Sequence, residues 1–178
     1  MYSIDIFILC ILPILSHQVV ADRLGGSRQE FTFECKSGES LSRIVSEHKD
    51  NVEDRFFDFS CSKLPVKAFL DACEWSDFTY RGHGVLHFQC PESGLITGIH
   101  SKYDNSREDR MFSFKCCSPT SYVLHSCEKT MWSNSYDKKK DAKVPNGYVM
   151  RGWTSVYSKK HYDRIYALLN CRLGKIYS

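Results

Sequence analysis

Asp54-Arg55-Phe56-Phe57-Asp58-Phe59-Ser60-Cys61 is the stretch that decides the fold, because two close copies of it occur downstream. Asp109-Arg110-Met111-Phe112-Ser113-Phe114-Lys115-Cys116 begins 55 residues later (109 − 54). Asp163-Arg164-Ile165-Tyr166-Ala167-Leu168-Leu169-Asn170-Cys171 begins 54 residues after that (163 − 109), with one extra residue before its cysteine. Alternation in each copy is that of a β-strand: Arg55, Phe57, Phe59 and Cys61 share one face, as do Arg110, Phe112, Phe114 and Cys116. The third copy needs a bulge near Leu169 or Asn170 to turn Cys171 to that face. Cys116 and Cys117 are strand neighbours that point to opposite faces, so they require two different disulfide partners.

Upstream of each copy lies a second alternating segment that opens with Gly: 38–46, 94–103 and 147–157. Phe33-Glu34-Cys35 and Phe88-Gln89-Cys90 precede two of these, each followed by a turn containing Gly. Each unit therefore reads as strand, turn, strand, polar loop, strand. The best helix candidate is 66–74, short and flanked by Pro65. The expected fold is all-β: antiparallel, disulfide-rich sheets from three pseudo-repeats of about 55 residues (about 29–61, 84–117 and 144–172), with little helix.

The 178-residue chain opens with an apolar run, Ile4 to Leu15, too short to span a bilayer. With Val19 and Ala21 as small residues before a cut, it reads as a signal peptide over 1–21, leaving one domain over 22–178. No later segment is apolar enough to be a membrane span. Removing Cys10 leaves eight of nine cysteines: Cys35, Cys61, Cys73, Cys90, Cys116, Cys117, Cys127 and Cys171. An even count in a secreted chain reads as a disulfide framework. No Cys-x-x-Cys pair or finger-like His spacing points to zinc, and no metal or other cofactor is expected. The segment removed contains Asp5 and no cation, so 24 basic residues face 20 acidic ones (21 − 1), too mild an excess to indicate nucleic acid.

The three Asp-Arg strands and the Cys116-Cys117 doublet, with Phe31 to Cys35, Gly94 to Gly98 and Val149 to Gly152, resemble the dermatopontin family of extracellular matrix proteins. Invertebrate relatives of that family act as agglutinating lectins. The resemblance runs from about Gln29 to Ser178. It implies disulfides Cys35–Cys61, Cys73–Cys116, Cys90–Cys117 and Cys127–Cys171. A fifth vertebrate bridge would fall at Val123 and Ser178, and both cysteines are missing together. The vertebrate members are Tyr-rich and acidic, from which this chain departs.

Asp54, Arg55, Asp109, Arg110, Asp163 and Arg164 are candidates either for three equivalent ligand pockets or for structural pairs. Their core-facing parity and repetition favour structure, since a buried guanidinium must be paired. Lys138, Lys139, Lys140 and Lys143, with Lys159 and Lys160, form two basic runs suited to a sulfated glycosaminoglycan. The resemblance further marks Arg151-Gly152 as a candidate cell-binding loop. No nucleophile elbow, metalloprotease helix or phosphate loop occurs, and no catalytic residues are expected. His83 and His87 share a strand face but lack an evident third ligand.

The expectation is a secreted, non-enzymatic matrix protein. Its partners would be collagen or proteoglycan glycosaminoglycan chains, and cell-surface receptors. The alternative is a multivalent carbohydrate-binding lectin.

Overall fold

Period-2 alternation becomes eleven strands in the computed structural model, which describes residues 23–79 and 84–176. The expected signal peptide, His83 and Ser178 lie outside the described residues. Three long antiparallel hairpins dominate: β2 (Glu39–Lys49) with β3 (Asp54–Lys63), β6 (Leu95–Asp104) with β7 (Asp109–Pro119), and β10 (Tyr148–Ser158) with β11 (Asp163–Lys175). The Asp-Arg stretches are the second strands of these hairpins.

The sheets interlace. β1 (Phe31–Glu34) precedes the first hairpin but pairs with β6 of the second. Likewise β5 (Val85–Gln89) pairs with β10 of the third, and β9 (Lys140–Lys143) returns to β2 of the first. β4 (Leu70–Trp75) and β8 (Tyr122–Lys129) flank β7 and β11. The order is thus β1-β6-β7-β4, β5-β10-β11-β8 and β3-β2-β9. Each hairpin is completed by a strand from elsewhere in the chain, and β9 closes the circuit.

Phe57, Phe112 and Tyr166, one from each hairpin, meet at the centre with ring centroids 5.9, 6.4 and 6.5 Å apart, all edge-on. Edge-to-face packing suits aromatic quadrupoles, and all three rings are buried. Phe59, Phe114 and Trp153 extend this core.

Three expectations need correction. The stretch 66–74 is not helical: Leu70 to Trp75 pair with β7, and the one helical turn among the described residues is a 3-10 turn at Gly26–Arg28. The bulge of the third hairpin lies on β10 at Arg151, not on β11, since Met150 faces Asn170 while Gly152 faces Leu169. Ser42 and Thr97 are skipped in the same way on β2 and β6.

The third correction concerns the disulfides. Cys35–Cys61 and Cys127–Cys171 form as implied, but the other two partners are exchanged, giving Cys73–Cys117 and Cys90–Cys116. Strand parity is the cause. Cys116 shares the core face of Phe112 and Phe114 and meets buried Cys90 at the end of β5. Cys117 points the other way, beside Thr97, within reach of exposed Cys73 on the adjacent β4. Cys171 plays the part of Cys117, linked to Cys127 on the adjacent β8, and Asn170 stands where Cys61 and Cys116 stand.

Candidate functional site

The turn before each Asp-Arg pair is tight. Glu53, Glu108 and Tyr162 adopt left-handed φ angles of 48°, 52° and 45°, which return the chain into β3, β7 and β11. The left-handed residue thus recurs at the matching position of all three turns. Those aspartates and arginines form a closed ring of ion pairs. Arg110 donates to both oxygens of Asp54 at 2.7 Å, Arg164 to those of Asp109 at 2.7 and 2.6 Å, and Arg55 to those of Asp163 at 2.6 and 2.8 Å. Each hairpin grips a different neighbour, and the third closes on the first. All six side chains are at most 6% exposed.

The ring is tied to its surroundings by further hydrogen bonds. Nη1 of Arg55, Arg110 and Arg164 donates to Ser46, Ser101 and Ser155, which occupy matching positions on the partner strands of their own hairpins. Further guanidinium donors reach the carbonyls of Lys138, Gln29 and Gly84. The Arg28 amide donates to Asp54 Oδ2 and the Asp137 amide to Asp163 Oδ2. Bidentate, charge-assisted pairs of this kind are the geometry in which a buried guanidinium is stable.

Burial raises the Asp54 carboxyl above its ordinary range although Arg110 and two amides oppose it. Burial acts the same way on Asp163, yet His48 and Arg55 together hold it at about 2. The axial cavity between the pairs has a volume of only about 20 Å³. That is room for one water, far from the roughly 300 Å³ or more of a ligand pocket. The ring joins each hairpin to a neighbour, and the space between the pairs is smaller than a sugar ring.

The two lysine runs fare differently. Tyr136 stacks on His161 at 5.0 Å, 3° from parallel, and His161 Nδ1 lies 2.6 Å from Asp137 Oδ2. These contacts pin the loop carrying exposed Lys138 and Lys139 against the turn carrying exposed Lys159 and Lys160. Lys143 is exposed at the far end of β9, beside the Arg43–Asp141 ion pair.

Lys140 must be withdrawn from the basic surface. It is fully buried, its Nζ lying 4.7 Å from the Trp153 ring centroid and 4.3 Å from that of Tyr166. Register explains this: Lys140 pairs with Ser46 as Phe31 pairs with Ser101 and Leu86 with Ser155, so it sits in a core position. Arg151-Gly152 is likewise no loop. Gly152 is buried inside β10, where a Cβ would come within 2.8 Å of the Phe88 carbonyl, and Arg151 donates to the Glu92 carbonyl.

One surface escaped the sequence reasoning. Trp75, Phe78 and His100 line an open cleft of about 400 Å³ with Thr32, Glu34 and Asp77. Trp75 is 39% exposed, and the His100 ring packs edge-on against both aromatics. The Trp75-Ser76-Asp77-Phe78 run, aromatic residues interleaved with polar ones, was the available signal.

The family model described as Dermatopontin matches residues 26–175. Millepora cytotoxin-1 of Millepora dichotoma is 31% identical over 143 residues, 80% of this chain, but this chain spans only 63% of that protein. The dermatopontin of Biomphalaria glabrata is 29% identical over 81% of this chain and 95% of its own length. The hemagglutinin/amebocyte aggregation factor of Limulus polyphemus is 31% identical over 79% of this chain and 81% of its own. No solved structure matches the chain.

Proposed function

Because this chain belongs to the dermatopontin family, we propose that it is a secreted, non-enzymatic matrix protein that binds proteoglycan glycosaminoglycan chains, and through them collagen assemblies and cell surfaces. The observation that carries this reading is the pinning of two lysine loops into one basic rim. Lys138, Lys139, Lys159 and Lys160 are exposed, and the Tyr136–His161 stack and the Asp137–His161 bond hold their loops together. A sulfated chain needs closely spaced ammonium groups on a surface that costs little ordering entropy, and this rim supplies both. Arg55, Arg110 and Arg164 do not serve here because each is buried against an aspartate.

Immobilised heparin tests the reading. The protein should be retained at physiological salt and elute as salt rises, since exposed charges are screened over about 8–10 Å. Replacing Lys138, Lys139, Lys159 and Lys160 together by Gln should move elution to clearly lower salt; unchanged elution would rule the rim out.

A second reading, a carbohydrate-binding lectin, is favoured by the Trp75–Phe78–His100 cleft with Glu34 and Asp77 at its edge. An exposed aromatic face beside carboxylates is the chemistry that stacks on a sugar ring and accepts its hydroxyl hydrogens. The Limulus relative is named a hemagglutinin. Red-cell agglutination blocked by simple sugars and lost in Trp75→Ala would establish this reading over the first.

A further inference from the structure

The three ion pairs of the ring are alike, but the side chains above them are not. Above Asp54–Arg110 stand Tyr103, Asn105 and Arg28. The Arg28 guanidinium lies 4.7 Å from the Tyr103 ring centroid, and Nη1 reaches Asn105 Oδ1 at 3.5 Å. At the junction of Asp163 with Arg55 the matching residues are His48, Asp50 and Asp137.

The match is structural as well as numerical. Arg28 and Asp137 share left-handed φ values of 66° and 58°, and the amide of each donates to the ring aspartate. His48 and Asp50 precede Tyr103 and Asn105 by 55 residues each (103 − 48 and 105 − 50). One junction thus contains a cation of its own. The other has a carboxylate in place of that cation, a second carboxylate in place of the amide, and an imidazole in place of the phenol.

From this contrast we infer that His48, Asp50 and Asp137 form a binding site for a divalent cation of the zinc class. One ligand atom from each lies within 4.8 Å of the others. Zinc bonds of about 2.1 Å set tetrahedral ligands about 3.4 Å apart, so small side-chain shifts complete the site.

The His48 side chain is 1% exposed. Nδ1 faces Asp163 Oδ1 at 3.4 Å, while Nε2 faces Asp50 at 3.6 Å and Glu53 at 3.4 Å. A carboxylate behind one ring nitrogen leaves the other lone pair directed at the metal, the usual second layer of a histidine ligand. Asp137 is prepared in the same way. Its Oδ2 is held by His161, and its Oδ1 is buried with no hydrogen-bond partner among the described residues.

Glu53, whose carboxylate lies 3.4 Å from His48 Nε2, would be a third oxygen donor. An imidazole at the centre of a carboxylate set suits zinc over calcium, which prefers six to eight oxygens. The site escaped sequence inspection because Asp137 lies 87 residues from Asp50 (137 − 50).

Calorimetric titration of the chelator-stripped full chain with zinc chloride tests the inference. One zinc per chain should bind, with calcium chloride binding at least tenfold more weakly. His48→Tyr installs the residue that Tyr103 supplies at the neighbouring junction, so it should fold and lose at least tenfold in zinc affinity. Asp50→Asn, a change at a side chain 86% exposed, leaves the fold undisturbed and should also lose at least tenfold. Absence of zinc binding in the native chain, or undiminished binding in Asp50→Asn, would overturn the site. Neither variant changes Lys138, Lys139, Lys159 or Lys160, so heparin retention of the zinc-free chain tests the proposed function on its own.

Discussion

Arginines on the axis and lysines on the rim carry the same charge into opposite environments. Arg55, Arg110 and Arg164 are at most 6% exposed, each forked onto an aspartate of another hairpin. Lys138, Lys139, Lys159 and Lys160 are exposed on loops held by one stacked pair of rings. Planar guanidinium groups fit carboxylates two bonds at a time, so arginine suits closure; flexible ammonium groups suit an outer polyanion. The contrast teaches how depth divides these two sets: the buried arginines join one hairpin to another, and the rim lysines stay exposed.

Removing one side of the ring is the harshest way to break that comparison. Arg110→Ala leaves Asp54 buried without its guanidinium and should cost about 3–5 kcal/mol in denaturant unfolding. A cost near that of a surface substitution would mean the ring is not closing the fold. Next in size, removing the core-facing disulfide with Cys90→Ala and Cys116→Ala should cost about 2–5 kcal/mol. Peptide mapping of the native chain should recover Cys90 joined to Cys116 and Cys73 to Cys117.

Lys140 sharpens the comparison, being a lysine at arginine depth whose ammonium has no hydrogen-bond partner among the described residues. Burial pushes its ammonium well below the ordinary lysine range, although the faces of Trp153 and Tyr166 offset part of the cost. Lys140→Leu, which installs the residue that Leu86 supplies on β5, should stabilise the fold by about 1–2 kcal/mol. A lysine whose folded pKa is depressed binds its proton more readily when unfolded. The native chain therefore loses stability as pH falls from the ordinary lysine range toward the folded value. The advantage of Lys140→Leu should accordingly be smallest near pH 10.5 and grow below it; the reverse trend would show that the cage favours the charged form. Smallest of all, replacing the four rim lysines by Gln should change stability by less than about 0.5 kcal/mol, measured beside the heparin elution it shifts.

The strands were legible in the sequence because alternation and aromatic spacing are local, and Asp54, Asp109 and Asp163 announce them at nearly equal intervals. Their partners were not. Arg110 reaches Asp54 56 residues away, and Arg55 reaches Asp163 108 away. No local pattern says that β1, β5 and β9 each leave their own hairpin for another. The disulfide exchange was legible in part: Cys35–Cys61 and Cys90–Cys116 both span 26 residues, and Cys73–Cys117 and Cys127–Cys171 both span 44. Equal spans are what one unit repeated would give, and the family pattern masked them. Lys140 hid in a charge run because β9 has only four residues, too few for alternation to separate an inward lysine from outward ones. The cleft at Trp75 needed β4 beside β7, which the proline-flanked stretch before it disguised as a helix.

The ring's role is tested most directly by a double-mutant cycle on Asp54 and Arg110, comparing Asp54→Ala, Arg110→Ala and the double variant in equilibrium unfolding. Removing both partners should cost less than the sum of the single losses, with a coupling of about 2–3 kcal/mol. Heparin elution and agglutination of every folded variant should match the native chain. Additive losses, together with loss of ligand binding in the variants that still fold, would contradict the closure role and return the Asp-Arg pairs to the binding surface.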